Sequence, residues 1–286
     1  MSALAAAFGS ARRERQTREL AKLTAFLRRD FLTAWSYRMA FVSEWFALVL
    51  QALMFSVVGK LINKSSMPVY GGTRSGYIEY VAIGIIVGAF IGIGLHRVAS
   101  TIRQEQLMGT LDSLLLTPTS VVMMQLGSAT YDLIYVPIRT LLFLLFIVLT
   151  FGAHFHASGI LPSMLLMAAF VPLVWGLGIF TAAGQLTFRR GSGGLGAVAG
   201  LLVLGSGAFF PLSVTPHWFQ LIDRWNPIAL AMDGLRETLI GGVGWTGIGR
   251  DIAVVAPCAV VALALGLATF ARALERERRR GTLGVY

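Results

Sequence analysis

Residues 121–150 read VVMMQLGSATYDLIYVPIRTLLFLLFIVLT, a run of thirty residues with only two charged side chains, Asp132 and Arg139. A helix needs about 20 consecutive apolar residues to cross a hydrocarbon layer about 30 Å thick. This run exceeds that length by about ten residues. We therefore interpret it as a membrane-spanning helix with residues to spare at one end.

Similar apolar runs occupy much of the remaining chain. The chain has 286 residues, of which 56% are apolar and only 13% charged, and its mean hydropathy is +0.71. An ordinary soluble domain is about 25% charged, so a soluble fold would lack the polar residues to cover its surface. The sequence predicts an all-α integral membrane protein with six transmembrane helices, near 39–60, 78–96, 121–150, 160–187, 194–213 and 250–271.

The distribution of Lys and Arg predicts the orientation. Seventeen basic residues lie in the two termini and in the loops at 96–119 and 188–191, whereas the other loops contain six. Cytoplasmic loops carry the excess of basic residues, so both termini are predicted to be cytoplasmic. We expect a multi-pass protein of a bacterial plasma membrane, with a membrane domain at 39–274 and a basic cytoplasmic tail at 275–286. Membrane topology explains the net charge of +10 better than nucleic-acid binding does.

The first 38 residues are predicted to form a cytoplasmic tail with an amphipathic helix at the membrane interface. Between Glu19 and Trp35 one narrow stripe of apolar residues recurs at helical spacing, and basic residues lie on the opposite side. Such a helix lies in the interface with its apolar face in the lipid. A solvated helix that packs on another subunit is the alternative.

The loop after the second predicted span reads RVASTIRQEQLMGTLDSLLLTPTS over residues 97–120. Its leucines, from Leu107 to Leu115, recur at helical spacing among charged residues, and Thr117-Pro118 stops the pattern. The pattern predicts a short amphipathic helix at about 100–117 on the cytoplasmic surface. It could dock against a soluble partner, or it could simply cover the helix bundle.

A second amphipathic helix is predicted on the outer side. Asn226 can cap a helix that begins at Pro227, an apolar stripe from Ile228 to Leu239 follows, and Gly241-Gly242 ends the pattern. Asp233 and Arg236 are predicted to lie away from that stripe.

Polar residues inside the spans are costly and can mark a pathway. Asp132, Tyr135 and Arg139 share one face of the third span, and Glu44 and Gln51 share one face of the first. They could line a substrate path or form a gate. Alternatively, an ion pair such as Glu44 with Arg139 fixes the packing of the helices.

Small residues also predict close helix packing. Gly84, Gly88 and Gly92 recur every fourth residue in the second span, a spacing that lets helix backbones approach closely. The single cysteine, Cys258, excludes an intrachain disulfide, and the four scattered histidines give little support for a metal site, so no metal is expected. No grouping of residues suggests a catalytic centre, and we expect no enzymatic activity in this chain.

Two stretches resemble the permeases of type-2 ABC exporters. The run from Glu105 to Pro118, EQLMGTLDSLLLTP, is similar to the family signature E-x-x-x-G-T-L-[ED]-x-L-L-x-T-P. The stretch from Gly207 to Gly242 is similar to the family element before the last span, through FFPL at 209–212, P-x-W at 216–218, NP at 226–227 and DGLR at 233–236.

The resemblance implies a dimer of six-span subunits, either two copies of this chain or this chain with a sister permease. Each subunit would be surrounded by membrane lipid and bound to a separate ATPase subunit that carries ATP and Mg²⁺. The sequence contains no G-x-x-x-x-G-K-[ST] motif of its own. The residues implied in coupling to the ATPase are Arg103, Glu105, Gly109, Thr110, Leu111, Asp112, Leu115, Thr117 and Pro118.

The resemblance also implies an outer re-entrant element at about 214–242 that closes the outer end of the pathway. Its implied residues are Phe210, Pro211, Pro216, Trp218, Asn226, Pro227, Asp233 and Arg236. The expected activity is outward movement of an amphipathic substrate such as a drug, an antibiotic, a lipid or a glycolipid. An ion-coupled secondary transporter and an integral membrane enzyme that modifies lipid are the alternatives.

Overall fold

The computed structural model describes residues 28, 31–32, 36, 38–62, 65, 67–107, 121–187, 197, 200–211, 215–217, 220 and 226–280. Most of the predicted interfacial helix, residues 108–120 of the predicted coupling segment, and Trp218 of the predicted outer element lie outside these residues.

The described chain is helical apart from one hairpin and its loops. Six long helices and two short strands are defined as follows: α1 is Arg38–Gly59, β1 is Val69–Tyr70, β2 is Thr73–Arg74, α2 is Tyr77–Leu107, α3 is Val121–Phe151, α4 is Ile160–Thr187, α5 is Pro227–Leu239 and α6 is Trp245–Arg280. A 3₁₀ turn, Ala157–Gly159, precedes α4.

Five helices of the described residues are long and apolar enough to cross a membrane: α1, α2, α3, α4 and α6. They coincide with five of the six predicted spans. The fifth predicted span, 194–213, is described only in part; residues 200–204 are helical and residues 205–210 form turns and bends. The prediction of a multi-pass helical membrane protein is thus confirmed, and the count of six spans stays a prediction.

Helix α2 is longer than the second predicted span. It continues without a break to Leu107, through Arg103 and Glu105, which were predicted to begin a separate coupling helix near residue 100. Residues 97–107 contain neither glycine nor proline, so nothing in the sequence interrupts the helix there. At 1.5 Å per residue, the 31 residues of α2 measure about 46 Å, which exceeds the hydrocarbon thickness of about 30 Å.

The hairpin marks one end of the bundle. Strands β1 and β2 pair antiparallel, with Tyr70 opposite Thr73, and the two glycines between them, Gly71 and Gly72, have φ angles of +56° and +79°. Positive φ at both central residues matches the twist of a tight hairpin and is readily adopted by glycine. The 3₁₀ turn and α5 lie at the same end, which we call the hairpin end.

The core of the bundle lies between α2, α3, α4, α5 and α6. Its most buried large side chains include Val81, Phe143, Leu166, Phe170 and Met232. Helices α4 and α6 approach most closely where Gly176 faces Gly266, because a Cβ atom on either glycine would overlap the other helix's backbone.

Helix α1 and one face of α3 are mostly uncovered. Their exposed large apolar residues include Met39, Val42, Phe46, Leu50, Met54, Val57, Ile134, Ile138, Leu142, Leu145 and Leu149. In a membrane these faces contact lipid or another subunit.

Candidate functional site

Helix α5 begins where the sequence predicts. The Asn226 side chain accepts a hydrogen bond of 3.0 Å from the backbone N–H of Ile228, and Pro227 occupies the first turn. The same Asn226 donates through Nδ2 to the carbonyl oxygen of Leu202 at 2.9 Å, although only 4% of the residue is exposed. Asn226 therefore caps one helix and ties it to the helical residues 200–204.

Arg236 is the most deeply buried charged residue of the described chain. Only 1% of it is exposed, and its guanidinium donates to the carbonyl oxygens of Gly207 at 2.9 Å and Ala208 at 3.3 Å. These carbonyls lie just after the helical residues 200–204, where backbone oxygens carry partial negative charge. A permanent cation is well suited to binding them, because the guanidinium presents several N–H donors in fixed geometry.

Tyr80 of α2 covers the other face of this arginine. The Arg236 guanidinium carbon lies 3.6 Å from the centre of the Tyr80 ring, a cation–π contact in a desolvated position. The Tyr80 hydroxyl donates to the carbonyl of Gly207 at 2.6 Å and lies 3.3 Å from that of Phe210. One backbone carbonyl, that of Gly207, thus receives hydrogen bonds from both α2 and α5.

Tyr70 extends the contacts to the hairpin. Its hydroxyl donates to Asp233 at 3.0 Å, and the same carboxylate oxygen lies 3.3 Å from Arg236. Burial, the largest influence, raises the pKa of Tyr70 well above its ordinary value, so the hydroxyl keeps its proton and acts as a donor. We call Tyr70, Tyr80, Asp233, Arg236 and the carbonyls of residues 207 and 208 the Arg236 network.

The segment at 207–210 is also held through close packing. A Cβ atom on Gly84 of α2 would overlap the backbone of Ala208, and the Tyr77 hydroxyl donates to the carbonyl of Phe209 at 3.1 Å. The ring of Phe209 stacks on Phe55 of α1, with 5.0 Å between centroids. The segment is therefore fixed to α1, α2 and α5 together.

The loop between α3 and α4 is tied to the same end of the bundle. Glu79 accepts hydrogen bonds from the backbone N–H groups of Gly76 at 2.8 Å and His154 at 2.9 Å. The N–H of His156 donates to the carbonyl of Leu239, the last residue of α5, at 2.8 Å. Backbone groups that would otherwise be unpaired thereby connect α2, the loop and α5.

Glu237 lies on α5 near the start of α6 and is mostly exposed. Partial burial and, after it, the carboxylates of Asp251 and Asp233 raise its pKa above the ordinary value, and nearby Arg250 opposes the shift. Proton uptake at Glu237 is thus easier than for a free glutamate.

A separate polar cluster joins α1 to α3. Arg139 donates to Glu44 at 3.1 Å, and the Tyr135 hydroxyl lies 3.3 Å from the same carboxylate oxygen. The ion pair that was the alternative to a pathway lining is therefore present between these two helices. Glu44 lies 15 residues from the hairpin end of α1 and Arg139 lies 12 residues from that of α3, so the pair is about 18–22 Å from those ends.

Arg139 of this pair lines a narrow crevice between α1, α2 and α3. The crevice is walled by apolar residues of the three helices, with Arg139 and Thr140 as its polar members. Arg139 is 10% exposed and Glu44 is 46% exposed at its side chain. Of the other predicted pathway residues, Gln51 lies on α1, and Asp132 lies in α3 with its side chain outside the described ones.

The structure brings together only some of the predicted outer residues. Asn226, Pro227, Asp233 and Arg236 all lie on or at α5, and the Phe210 carbonyl reaches the Arg236 network. Arg236 was expected to lie away from the apolar stripe, but it is buried. It follows Met232 by four residues and Leu235 by one, so helical spacing already places it beside two buried stripe residues.

Tyr70, Tyr77 and Tyr80 were missed altogether. Tyr77 and Tyr80 are one helical turn apart at the start of an apolar span, and that spacing was the available signal.

The family model described as ABC-2 type transporter matches residues 21–240, well over half of the chain. No curated protein matches the sequence.

Proposed function

This chain belongs to the ABC-2 type transporter family, and we propose that it is the membrane-spanning permease subunit of an ATP-driven exporter. The family domain is the transmembrane component of a transporter and carries no catalytic centre of its own. ATP and Mg²⁺ would bind on a separate ATPase subunit.

The observation that carries this proposal is the family match over residues 21–240, which includes the motif at 105–118 and all but the last two residues of the stretch at 207–242. The motif at 105–118 begins in the last residues of α2 and ends shortly before α3, so it connects two membrane-spanning helices along the chain. In the proposed exporter, the coupling residues Arg103 to Pro118 contact the ATPase from the cytoplasmic side.

The Arg236 network supports a closing role for the opposite end. It fastens α5, the hairpin and the segment at 207–210 to α2 at the hairpin end of the bundle. In the proposed orientation, with both termini cytoplasmic in a bacterial plasma membrane, the hairpin end faces outward. The re-entrant element at about 214–242 then closes the outer end of the pathway.

The exposure of α1 supports a second permease subunit. The candidate span Val42–Gly59 is only 17% buried, and it carries the half-exposed carboxylate of Glu44. A charge that faces hydrocarbon is costly, even beside its Arg139 partner, so cover by a second subunit is favourable. That subunit is a second copy of this chain or a sister permease.

An amphipathic substrate fits the described surfaces best. The crevice beside Arg139 combines apolar walls with a charged end. A secondary transporter would need carboxylates near the membrane midplane, whereas most acidic residues here lie at span ends. A lipid-modifying enzyme would need clustered catalytic groups at one interface.

Affinity purification from the native membrane in mild detergent tests the proposal. We expect a P-loop ATPase to accompany the chain, identified by mass spectrometry, and the purified complex to hydrolyse ATP. A purified oligomer that lacks an ATPase and still transports substrate would contradict the exporter and favour the secondary transporter.

The coupling assignment has its own test. Replacement of Gly109 and Thr110 by Trp should release the ATPase or uncouple its activity from transport, because bulky side chains would fill the proposed contact. Gly244→Trp is the control, since no atom lies within 4 Å of a Cβ at that loop position. Unchanged association and transport in the Gly109 and Thr110 variants would refute the assignment.

A further inference from the structure

A cleft opens between α3 and α4 in the half of the bundle nearest the hairpin end. It holds about 520 Å³ of space between protein atoms, its open mouth included, and α2 and α5 form its inner walls. None of its lining residues carries a charge.

The cleft has almost no polar surface. Its polar lining residues are Thr140 and Ser163, and the Ser163 hydroxyl is already paired with Thr238 at 2.7 Å and with the carbonyl of Gly159 at 2.7 Å. A water molecule needs two to four polar partners, so the cleft is a poor site for water and a good one for hydrocarbon. Left empty, its walls would lose packing contacts.

The mouth is continuous with the lipid-facing surface. Leu141 and Met164 stand on either side of it and are 37% and 39% exposed, and the neighbouring Leu145 and Leu165 are more exposed still. Leu141 lies ten residues from the end of α3 and Met164 four residues from the start of α4, which places the mouth about 6–15 Å from those helix ends. At that depth, the surrounding solvent is the acyl chains of the nearer leaflet.

The inner end of the cleft reaches α5. Leu235 and Leu239 line it, yet they are only 3% and 4% exposed. They flank Arg236 on the same helix, so whatever fills the cleft packs on the helix that carries the Arg236 network.

We propose that this cleft binds one hydrocarbon chain of a membrane phospholipid from the leaflet at the hairpin end, with the chain packed against Leu235 and Leu239. The chain passes from one hydrocarbon surrounding to another, so packing contacts rather than the hydrophobic effect set its affinity. The bound chain packs on the face of α5 that carries Leu235 and Leu239, next to the face from which Arg236 reaches the backbone carbonyls. This site is independent of the ATPase and goes beyond the proposed function.

A photoactivatable phospholipid tests the site. The full chain is placed in phosphatidylcholine nanodiscs with a phospholipid that carries a diazirine in its acyl chain, irradiated, and digested for mass spectrometry. We expect label on Leu235 or Leu239, which bulk lipid cannot reach. Absence of label from residues 235–239, with label present on exposed α3 and α4, overturns the proposal.

Matched variants separate the cleft from the general lipid surface. Leu141→Trp and Met164→Trp fill the mouth and should abolish label on α5, whereas Leu145→Trp and Leu165→Trp place the same ring on the adjacent lipid-facing surface and should retain it. Met164→Ala widens the mouth, should retain or increase the label, and guards against misfolding of the Trp variants. Equal label on α5 in all variants overturns the proposal, while the exporter assignment is judged separately by ATPase co-purification.

Discussion

Arg236 is a charged side chain in a position where an unpaired charge would be costly. Its guanidinium donates hydrogen bonds to two backbone carbonyls and one carboxylate, and it lies against one aromatic ring. Its Nε has no hydrogen-bond partner among the described residues. Removal of the cation would take its donor from the buried carbonyl of Ala208 and would leave the carbonyl of Gly207 with the Tyr80 hydroxyl alone.

Arg236→Met should therefore destabilise the protein strongly. Loss of the donor to a buried carbonyl typically costs about 1–3 kcal/mol, whereas Asp233, 47% exposed at its side chain, can be hydrated once it is unpaired. Tyr80→Phe, which keeps the ring over the arginine but loses one hydrogen bond, should cost about 1 kcal/mol. Thermal unfolding in detergent measures both, with Arg279→Met as control because that arginine is 78% exposed at its side chain. Equal unfolding temperatures for Arg236→Met and the control would contradict the buried role.

Glu237 makes stability depend on pH. Its raised pKa means that the folded protein binds a proton more readily than the unfolded chain does. The ionised carboxylate consequently opposes folding above the raised pKa, and the penalty disappears as the pH falls toward the ordinary value of about 4.3. Because Glu237 is mostly exposed, the effect should be small.

Glu237→Gln should accordingly raise the unfolding temperature slightly at pH 7, and the difference from the wild type should vanish near pH 4. Glu275→Gln, on an exposed carboxylate paired with Arg279, is the control. A Glu237 variant that is less stable than the wild type at pH 7 would show that its attraction to Arg250 outweighs burial.

Variants of the ion pair between Glu44 and Arg139 separate a role in helix packing from a role in transport. If the pair only fixes the helices, Glu44→Gln should lower stability and the exchange Glu44→Arg with Arg139→Glu should recover part of it. If it lines the pathway, Glu44→Gln should change transport at unchanged stability. Parallel thermal unfolding and substrate uptake into inverted vesicles measure the two effects.

At the scale of elements, α5 shows what sequence patterns can and cannot specify. Asn226 and Pro227 predicted its first residues, because capping depends on residues adjacent in sequence. The burial of Arg236 depends on carbonyls near residue 207, which are distant along the chain, and no local pattern encodes that contact. The predicted coupling helix was expected to begin near residue 100, but α2 continues to Leu107 because no helix-breaking residue precedes it.

The glycines of α2 also show that a local pattern does not specify which residues contact a distant segment, and they give a testable prediction. All three were predicted to permit close packing, but a Cβ atom would overlap a neighbour only at Gly84, whereas at Gly92 it would meet nothing within 4 Å. Gly84→Ala should cost about 1–3 kcal/mol through overpacking, and Gly92→Ala should be neutral or stabilising. The unfolding temperatures of the two variants test this prediction. Equal temperatures would mean that the segment at 207–210 lies farther from α2 than the structure has it.

At the scale of the whole molecule, five spans were predicted at the positions of α1, α2, α3, α4 and α6 because length and apolarity alone identify them, although α2 and α6 continue beyond the predicted ends at 96 and 271. The arrangement of those spans around one another, the cleft between α3 and α4, and the uncovered face of α1 depend on packing that the sequence does not display. The candidate site was consequently predicted as a set of segments, and only the structure joined them.

Two permease subunits per complex are expected from the exposure of α1. Native mass spectrometry of the purified complex should give two copies of this chain, or this chain with one sister permease of similar size. Partial proteolysis should leave α1 protected in the complex. A complex with one permease subunit would contradict the proposed cover over Glu44.

The contacts of Arg236 with residues 207 and 208 use main-chain oxygen atoms on one side and a side chain on the other. A change of side chain at position 208 does not remove the acceptor, so these contacts, unlike those of Arg236 with Asp233 and Tyr80, have no paired position at which compensating substitutions could arise. Methods that infer contacts from correlated substitutions between columns of an alignment would not detect these contacts with the backbone. In a saturation mutagenesis map, position 236 should tolerate few substitutions, whereas position 208 should not show a matching requirement for one side chain.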